Sequence, residues 1–181
     1  MGGRGSRGVI GVEAPDPVLS LVSSLGLALI AGTSLVVDLE GGLVTRRTLG
    51  DLTAHGPSRE ELSPGRTGVA LISGRGADES ESATLIETLS AHWPAVVVRC
   101  RPGQWEGPTV PVRPLIPGLL GPTGGAAAVW QPLVAGMRPP GSGPVLPVLK
   151  RGTTVALLGG QSIGRSRWVR AWSEVWGLPW A

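Results

Sequence analysis

Two pairs of charged residues follow apolar runs, and their side chains are the ones best placed to do chemistry. Asp38 and Glu40 end the run SLVVDLE. Arg99 and Arg101 end the run AVVVRCR. Arginines can pair with carboxylates or bind an anion. We favour an internal ion pair among the four, and keep as the alternative a small anion-binding protein or enzyme that uses both arginines at the strand ends.

The elements that must position these residues alternate between strand and helix. The sequence pattern predicts strands at 9–12, 34–39, 68–73 and 95–100, and helices at 17–31 and 79–92. Such alternation predicts an α/β fold with a parallel, doubly wound sheet and helices on both faces. Ligands in these sheets bind at the carboxyl ends of the strands, which is where the four charged residues are expected.

The turn between the first strand and the first helix reads Glu13-Ala14-Pro15-Asp16-Pro17. A phosphate-binding turn is glycine-rich, so that backbone N–H groups wrap the phosphates at the helix N-terminus. Here two prolines remove two N–H donors and two acids add negative charge, so the turn would repel a triphosphate. Asp16 followed by Pro17 is typical of an N-cap and a first-turn proline. The alternative is an ordinary helix-opening turn that never held phosphate.

The strand, turn and helix are followed by LVVDLEGGLVTRRTLGDL. This order, over residues 8–101, resembles the opening of the ParA/MinD family of deviant P-loop ATPases, including the CpaE/TadZ-type members associated with pilus assembly. In that family the second strand ends in an Asp-x-Asp/Glu-like signature and a glycine-containing segment. Asp38, Glu40, Gly41 and Gly42 occupy the matching positions.

Two departures from the family pattern suggest a lost activity. The phosphate loop with its lysines is absent, and Arg99 stands where the family has a strand-ending aspartate that helps hold the magnesium-bound water. The resemblance therefore implies a noncatalytic pseudo-ATPase without cofactor or nucleotide-binding residues. It would act as a scaffold or localisation factor in pilus assembly or secretion. We expect a protein partner and a cytoplasmic location, and leave a homodimer open.

The last residues carry a tryptophan every four positions, at Trp168, Trp172, Trp176 and Trp180. On a helix the first three form one aromatic stripe, and Gly177 should end that helix near Trp176. The stripe predicts either a core-filling helix or an interfacial helix that touches a membrane or a partner. In the second case the face would comprise the tryptophans of the stripe and three arginines, namely Arg165, Arg167, Trp168, Arg170, Trp172 and Trp176. Membrane-targeting C-terminal helices are also known in the MinD-like proteins that this chain resembles.

Composition limits the domain organisation. With 181 residues, one main domain is the default. We expect a disordered leader at 1–7, the α/β domain at 8–164 and the amphipathic helix at 165–181. Within the domain, 29 glycines and 17 prolines in the chain predict irregular backbone over 102–147, with one short strand near 127–131 and mobile loops at 121–125 and 138–144.

Other classes of function find little support in the sequence. The single cysteine, Cys100, excludes an intramolecular disulfide, and His55 and His92 have no partners at metal-ligand spacing, so no metal site is predicted. The apolar run at 18–31 is too short to span a bilayer. The net charge is only +3, so we do not expect a nucleic-acid partner.

Overall fold

The computed structural model describes residues 8–62, 68–118, 127–161 and 166–180. Six strands form one parallel sheet; they are β1 Gly8–Glu13, β2 Ser34–Asp38, β3 Val69–Ser73, β4 Ala95–Arg99, β5 Thr109–Leu115 and β6 Val129–Pro132. Their order across the sheet is β3-β2-β4-β1-β5-β6. The leader at 1–7 and the loop at 121–125 lie outside the described residues.

Helices cover both faces of the sheet, which confirms the predicted α/β class. They are α1 Pro17–Ala31, α2 Leu49–His55, α3 Arg59–Leu62, α4 Glu79–Ser90, α5 Arg151–Leu158 and α6 Arg167–Val175. Residues of α1, α5 and α6 pack on one face, and residues of α2 and α4 pack on the other. None of the helices in the described ranges has the length and apolarity that crossing a lipid bilayer would require.

Strand β4 lies between the first two strands of the chain. β1 and β2 are parallel, as a βαβ unit predicts, but each pairs with β4 rather than with the other. This insertion places Asp38 directly opposite Arg99 in the β2–β4 register. The predicted edge of charged residues is therefore built by two strands that are 61 positions apart in the chain.

The first helix begins and ends where its capping residues predict. The Asp16 carboxylate accepts a hydrogen bond from Leu19 N–H at 2.8 Å, and Pro17 occupies the first turn. At the other end Gly32 has φ of 90°, a conformation that a glycine adopts without a steric penalty.

The prediction of irregular backbone over 102–147 was wrong for β5, an interior strand that contains two prolines. Leu133 N–H donates to Leu115 O, so the odd-numbered residues of β5 face β6. The backbone nitrogen of Pro111 points to the β6 side, but pairing with β6 begins only at Val112. The backbone nitrogen of Pro114 points to the β1 side, where pairing with β1 has already ended at Pro111. Neither missing N–H therefore interrupts a ladder.

Two further features were not anticipated in the second half of the chain. Backbone hydrogen bonds join the predicted loop at 138–144 to β6 and to the residue before it, from Ala128 N–H to Ser142 O at 3.1 Å and from Trp130 N–H to Pro144 O at 2.8 Å. Helix α5 was not predicted. Its N-cap is Lys150, which forms no side-chain capping bond, so the sequence lacks a capping residue that would indicate where the helix begins.

Candidate functional site

The carboxyl ends of β2 and β4 meet beside the first turn of α1, and here the predicted charged residues come together. Leu39 N–H donates to Arg99 O at 2.9 Å, which holds the two strand ends side by side. The Arg99 side chain points to the face covered by α1, because it bonds Ser20 and Pro17 of that helix. This edge is where doubly wound sheets place ligands.

The Arg99 guanidinium donates four hydrogen bonds within the protein. Nη1 donates to Asp38 Oδ1 at 2.9 Å, and Nη2 donates to Glu40 Oε2 at 2.6 Å. Nε donates to Ser20 Oγ at 3.2 Å, and Nη2 also donates to Pro17 O at 2.9 Å. The structure therefore contains the ion pair that the sequence favours, here called the Arg99 cluster: Arg99, Asp38, Glu40 and Ser20.

The carboxylates of the cluster are themselves held by further donors. Ser20 Oγ donates to Glu40 Oε1 at 2.8 Å, which links helix α1 to the segment after β2. Leu43 N–H donates to Asp38 Oδ2 at 2.6 Å. Each carboxylate thus uses both of its oxygens within the protein.

Burial makes these contacts energetically important. Arg99 is 2% exposed and Asp38 is fully buried. The buried Asp38 carboxylate and the largely buried Glu40 carboxylate both contact this guanidinium, so any change that removes the cation leaves uncompensated negative charge beside the core. Gly42 lies against the same guanidinium, since a Cβ built there would be 2.8 Å from Arg99 Nη1. The absence of a side chain at Gly42 therefore leaves space for the Arg99 guanidinium.

Arg101 is the one predicted member that lies outside the cluster. It is exposed, and its guanidinium forms no ion pair with any described residue. Its backbone N–H bonds Gln104 Oε1 at 3.0 Å, and Gln104 Nε2 donates to Leu39 O at 3.0 Å. Arg101 thus belongs to a turn after β4 rather than to the ionic site.

Ser20 and Pro17 are site residues that the sequence reading did not select. The position of Ser20 could have indicated this role. A serine in the first helical turn after a strand lies close to the carboxyl ends of the strands, where the charged residues are found.

The turn before α1 is engaged in internal bonds. Glu13 pairs with Arg113 of β5 at 3.0 Å, and the Asp16 side chain caps the helix. The neighbouring Cys100 supplies no nucleophile, because burial raises the pKa of its thiol to about 12. Its Sγ lies 3.7 Å from Val12 O and donates to it.

Trp168 and Trp172 of the tryptophan stripe lie in the core, which corrects the prediction of a membrane or partner face for these two residues, while Trp176 is partly buried. Trp168 and Trp172 are buried, with ring centroids 5.5 Å apart in an edge-on arrangement. Trp168 Nε1 donates to Gln131 Oε1 at 2.6 Å, and Trp176 Nε1 donates to Leu27 O at 3.0 Å. The apolar face of α6 points inward because α1 offers it a matching apolar surface.

The arginines of that predicted face have different positions. Arg167 and Arg170 are exposed on α6, and Arg165 lies outside the described residues. The buried Trp168 and Trp172 therefore do not share a surface with these two arginines.

The described residues contain no cluster of His, Cys, Asp and Glu that could hold a metal ion. The site is an ionic cluster whose charged groups bond to one another and to α1, at the usual ligand edge of an α/β sheet. Comparison with protein-family models, curated proteins and solved structures finds no match to this chain, so its function is inferred from the geometry of this edge.

Proposed function

We propose that the protein is a noncatalytic pseudo-ATPase of ParA/MinD-like type that acts as a scaffold or localisation factor. The observation that carries the proposal is the Arg99 cluster. A buried cation from β4 occupies the strand edge at which the resembled family places a carboxylate for magnesium-bound water. That cation is bonded to Asp38 and Glu40, the two residues of the family-like signature.

The residues at this edge do not fit MgATP. A magnesium ion requires oxygen ligands, but both oxygens of Asp38 and both oxygens of Glu40 already accept hydrogen bonds. A guanidinium in contact with the same carboxylates would also repel the metal. No step of nucleotide hydrolysis is therefore assigned to this site.

The first turn of α1 is equally unsuited to phosphate. Leu19 N–H, one of the donors that a phosphate would use, is bonded to the Asp16 carboxylate at 2.8 Å. Pro17 has no N–H, and Glu13 and Asp16 add negative charge beside the helix N-terminus. The positive end of the helix is thus neutralised by the protein itself.

The alternative of an anion-binding protein or enzyme needs both arginines to be available to a ligand. The Arg99 guanidinium already has four hydrogen bonds to internal acceptors. Arg101 is exposed but stands apart from the cluster. The geometry therefore favours a structural ion pair over an anion site.

The scaffold role is supported by the resemblance and by the poor fit of this site to MgATP. A protein that keeps an α/β sheet of this kind without a working nucleotide site contributes through the surfaces it presents. The CpaE/TadZ-type proteins that the opening residues resemble point to pilus assembly or secretion as the setting.

Nucleotide titration tests the proposal directly. We expect isothermal titration of the full chain with MgATP or MgADP at millimolar concentration to give no saturable heat, and phosphate release to stay at background. Saturable MgATP binding would overturn the proposal, as would phosphate release that Asp38→Asn abolishes. Release that is equal in wild type and Asp38→Asn originates from a contaminating enzyme, and the binding titration then decides.

A further inference from the structure

The β3 edge of the sheet carries backbone groups that no described residue bonds. Ser34 N–H donates to Gly68 O at 3.1 Å and Gly74 N–H donates to Asp38 O at 2.8 Å, so even-numbered residues of this strand face β2. The N–H and C=O groups of Val69 and Leu71 therefore point away from the sheet. Further along, Thr45 Oγ1 accepts the Ser73 N–H at 3.0 Å, so the open stretch ends before Ser73.

An apolar groove flanks this edge on the α1 face. It has a volume of about 270 Å³. Most of its lining side chains are leucines, among them Leu21, Leu25, Leu29, Leu71, Leu157 and Leu158, and the polar Gln161 also lines it. Leu71 is 41% exposed and Leu158 is 50% exposed, although both belong to otherwise packed elements. A large apolar side chain next to β3 on this face would be taken out of water.

A second groove flanks the same edge on the α4 face and has a different character. It has a volume of about 780 Å³, with Ile72, Leu89 and Trp93 among its lining residues and arginines at its rim. Arg47 is paired with Glu61 at 2.9 Å. Arg46 and Arg59 are exposed and form no ion pair with any residue whose side chain the structure describes, and both place positive charge at this rim.

We infer that the β3 edge binds an extended segment of a partner protein in which apolar and acidic side chains alternate. Such a segment would add a strand to the sheet, bonding the outward groups of Val69 and Leu71. Successive side chains of a strand point to opposite faces, so one set enters the leucine groove and the other meets Arg46 and Arg59. The two grooves together thus select the alternating pattern.

A second copy of this chain is a poorer occupant of the edge. Antiparallel pairing of two β3 strands about a two-fold axis keeps equivalent faces of the joined sheet on the same side. The Arg46 and Arg59 side chains of both copies would then lie on one face, where like charges repel. Charge complementarity therefore selects an acidic partner segment.

Fluorescence anisotropy of a labelled peptide tests the inference on the full chain. The probe is a seven-residue peptide of alternating glutamate and valine, and the matched peptide has lysine in place of each glutamate. We expect saturable binding of the glutamate peptide that weakens with added salt, and at least about tenfold weaker binding of the lysine peptide. No binding of the glutamate peptide at millimolar protein, or equal binding of both peptides, overturns the inference.

Protein variants locate the binding. Arg46→Glu combined with Arg59→Glu should weaken binding of the glutamate peptide about tenfold, and Leu71→Lys should also weaken it. Arg138→Glu with Arg170→Glu reverses two exposed arginines elsewhere and should leave binding unchanged. Circular dichroism checks that each variant is folded. Unchanged binding of the glutamate peptide by folded Leu71→Lys or by the folded double variant at Arg46 and Arg59 overturns the inference. A wild-type dimer that Leu71→Lys dissociates also overturns it.

This inference rests on the scaffold role proposed above, but its outcome is separable from the nucleotide result. Failure of peptide binding with no MgATP binding removes only the β3 partner site. MgATP binding with peptide binding intact removes the pseudo-ATPase proposal and leaves the partner site standing.

Discussion

Arg99 determines what the edge of the sheet can do. It is the last residue of the apolar strand β4, and a guanidinium buried there must find hydrogen-bond acceptors because an unpaired buried charge is costly. Asp38, Glu40 and Ser20 supply them, and Gly42 leaves space for the planar group. The charged residues at the two strand ends therefore bond mainly to one another.

Replacing Arg99 tests the energetic role of the cluster. Arg99→Met should lower the free energy of unfolding by about 3 to 5 kcal/mol, because it leaves Asp38 and Glu40 buried without a cation. Urea unfolding followed by tryptophan fluorescence measures the change. Arg101→Met, two positions along the chain and exposed, is the matched control and should alter the free energy of unfolding by less than about 0.5 kcal/mol. Equal effects of the two substitutions would contradict the assignment of Arg99 to a stabilising cluster.

Helix α1 connects the ionic edge to the aromatic core. Its first turn bonds Arg99 through Ser20 and Pro17, and its middle packs against α6. Gly26 is the contact point, since a Cβ there would be 2.6 Å from Trp168 Cζ3 and 2.7 Å from Trp172 Nε1. A glycine inside a helix is ordinarily unfavourable, so its presence here reflects the close approach of two indole rings.

The contact between α1 and α6 predicts that a glycine-to-alanine substitution inside a helix lowers stability, the opposite of its usual effect. Gly26→Ala should destabilise the protein by about 1 to 3 kcal/mol through overpacking, although alanine is the better helix former. Gly152→Ala in α5 is the control, because its Cβ would meet nothing within 4 Å. That substitution should be neutral or stabilise by up to about 1 kcal/mol. Thermal unfolding of both variants measures the difference, and a stabilising Gly26→Ala would show that α1 and α6 do not pack this closely.

At the scale of the whole molecule, α6 closes the core that α1 and the sheet begin. Trp168, Val169, Trp172 and Val175 all lie in the same buried cluster as Val12 of β1. The predicted division into a domain at 8–164 and a helix at 165–181 therefore separates residues that share one core. Lacking phenylalanine and tyrosine, the chain uses tryptophan for the aromatic bulk of that core.

A truncation tests whether α6 belongs to the core. A chain that ends at Gly164 should lose its cooperative urea transition and its near-ultraviolet circular dichroism, because α1 would expose the apolar face that α6 covers. A chain that ends at Gly177 keeps α6 and should unfold like the full protein, apart from a small loss at Trp180. A cooperative transition with an unchanged midpoint in the shorter chain would show that α6 is dispensable to the fold.

Local sequence signals determined much of this protein's architecture. Apolar periodicity, together with the cap formed by Asp16 and Pro17, located the first four strands and helices α1 and α4, because those signals act between near neighbours. The sequence also predicted that Asp38 and Glu40 would face Arg99, since parallel strands bring their carboxyl ends to one edge. Long-range packing determined that Arg101 lies outside the cluster, that β5 contains two prolines and that Trp168 and Trp172 are buried. Those outcomes depend on which elements become neighbours, and neighbours distant in sequence are selected by packing and burial over the whole chain rather than by any local pattern.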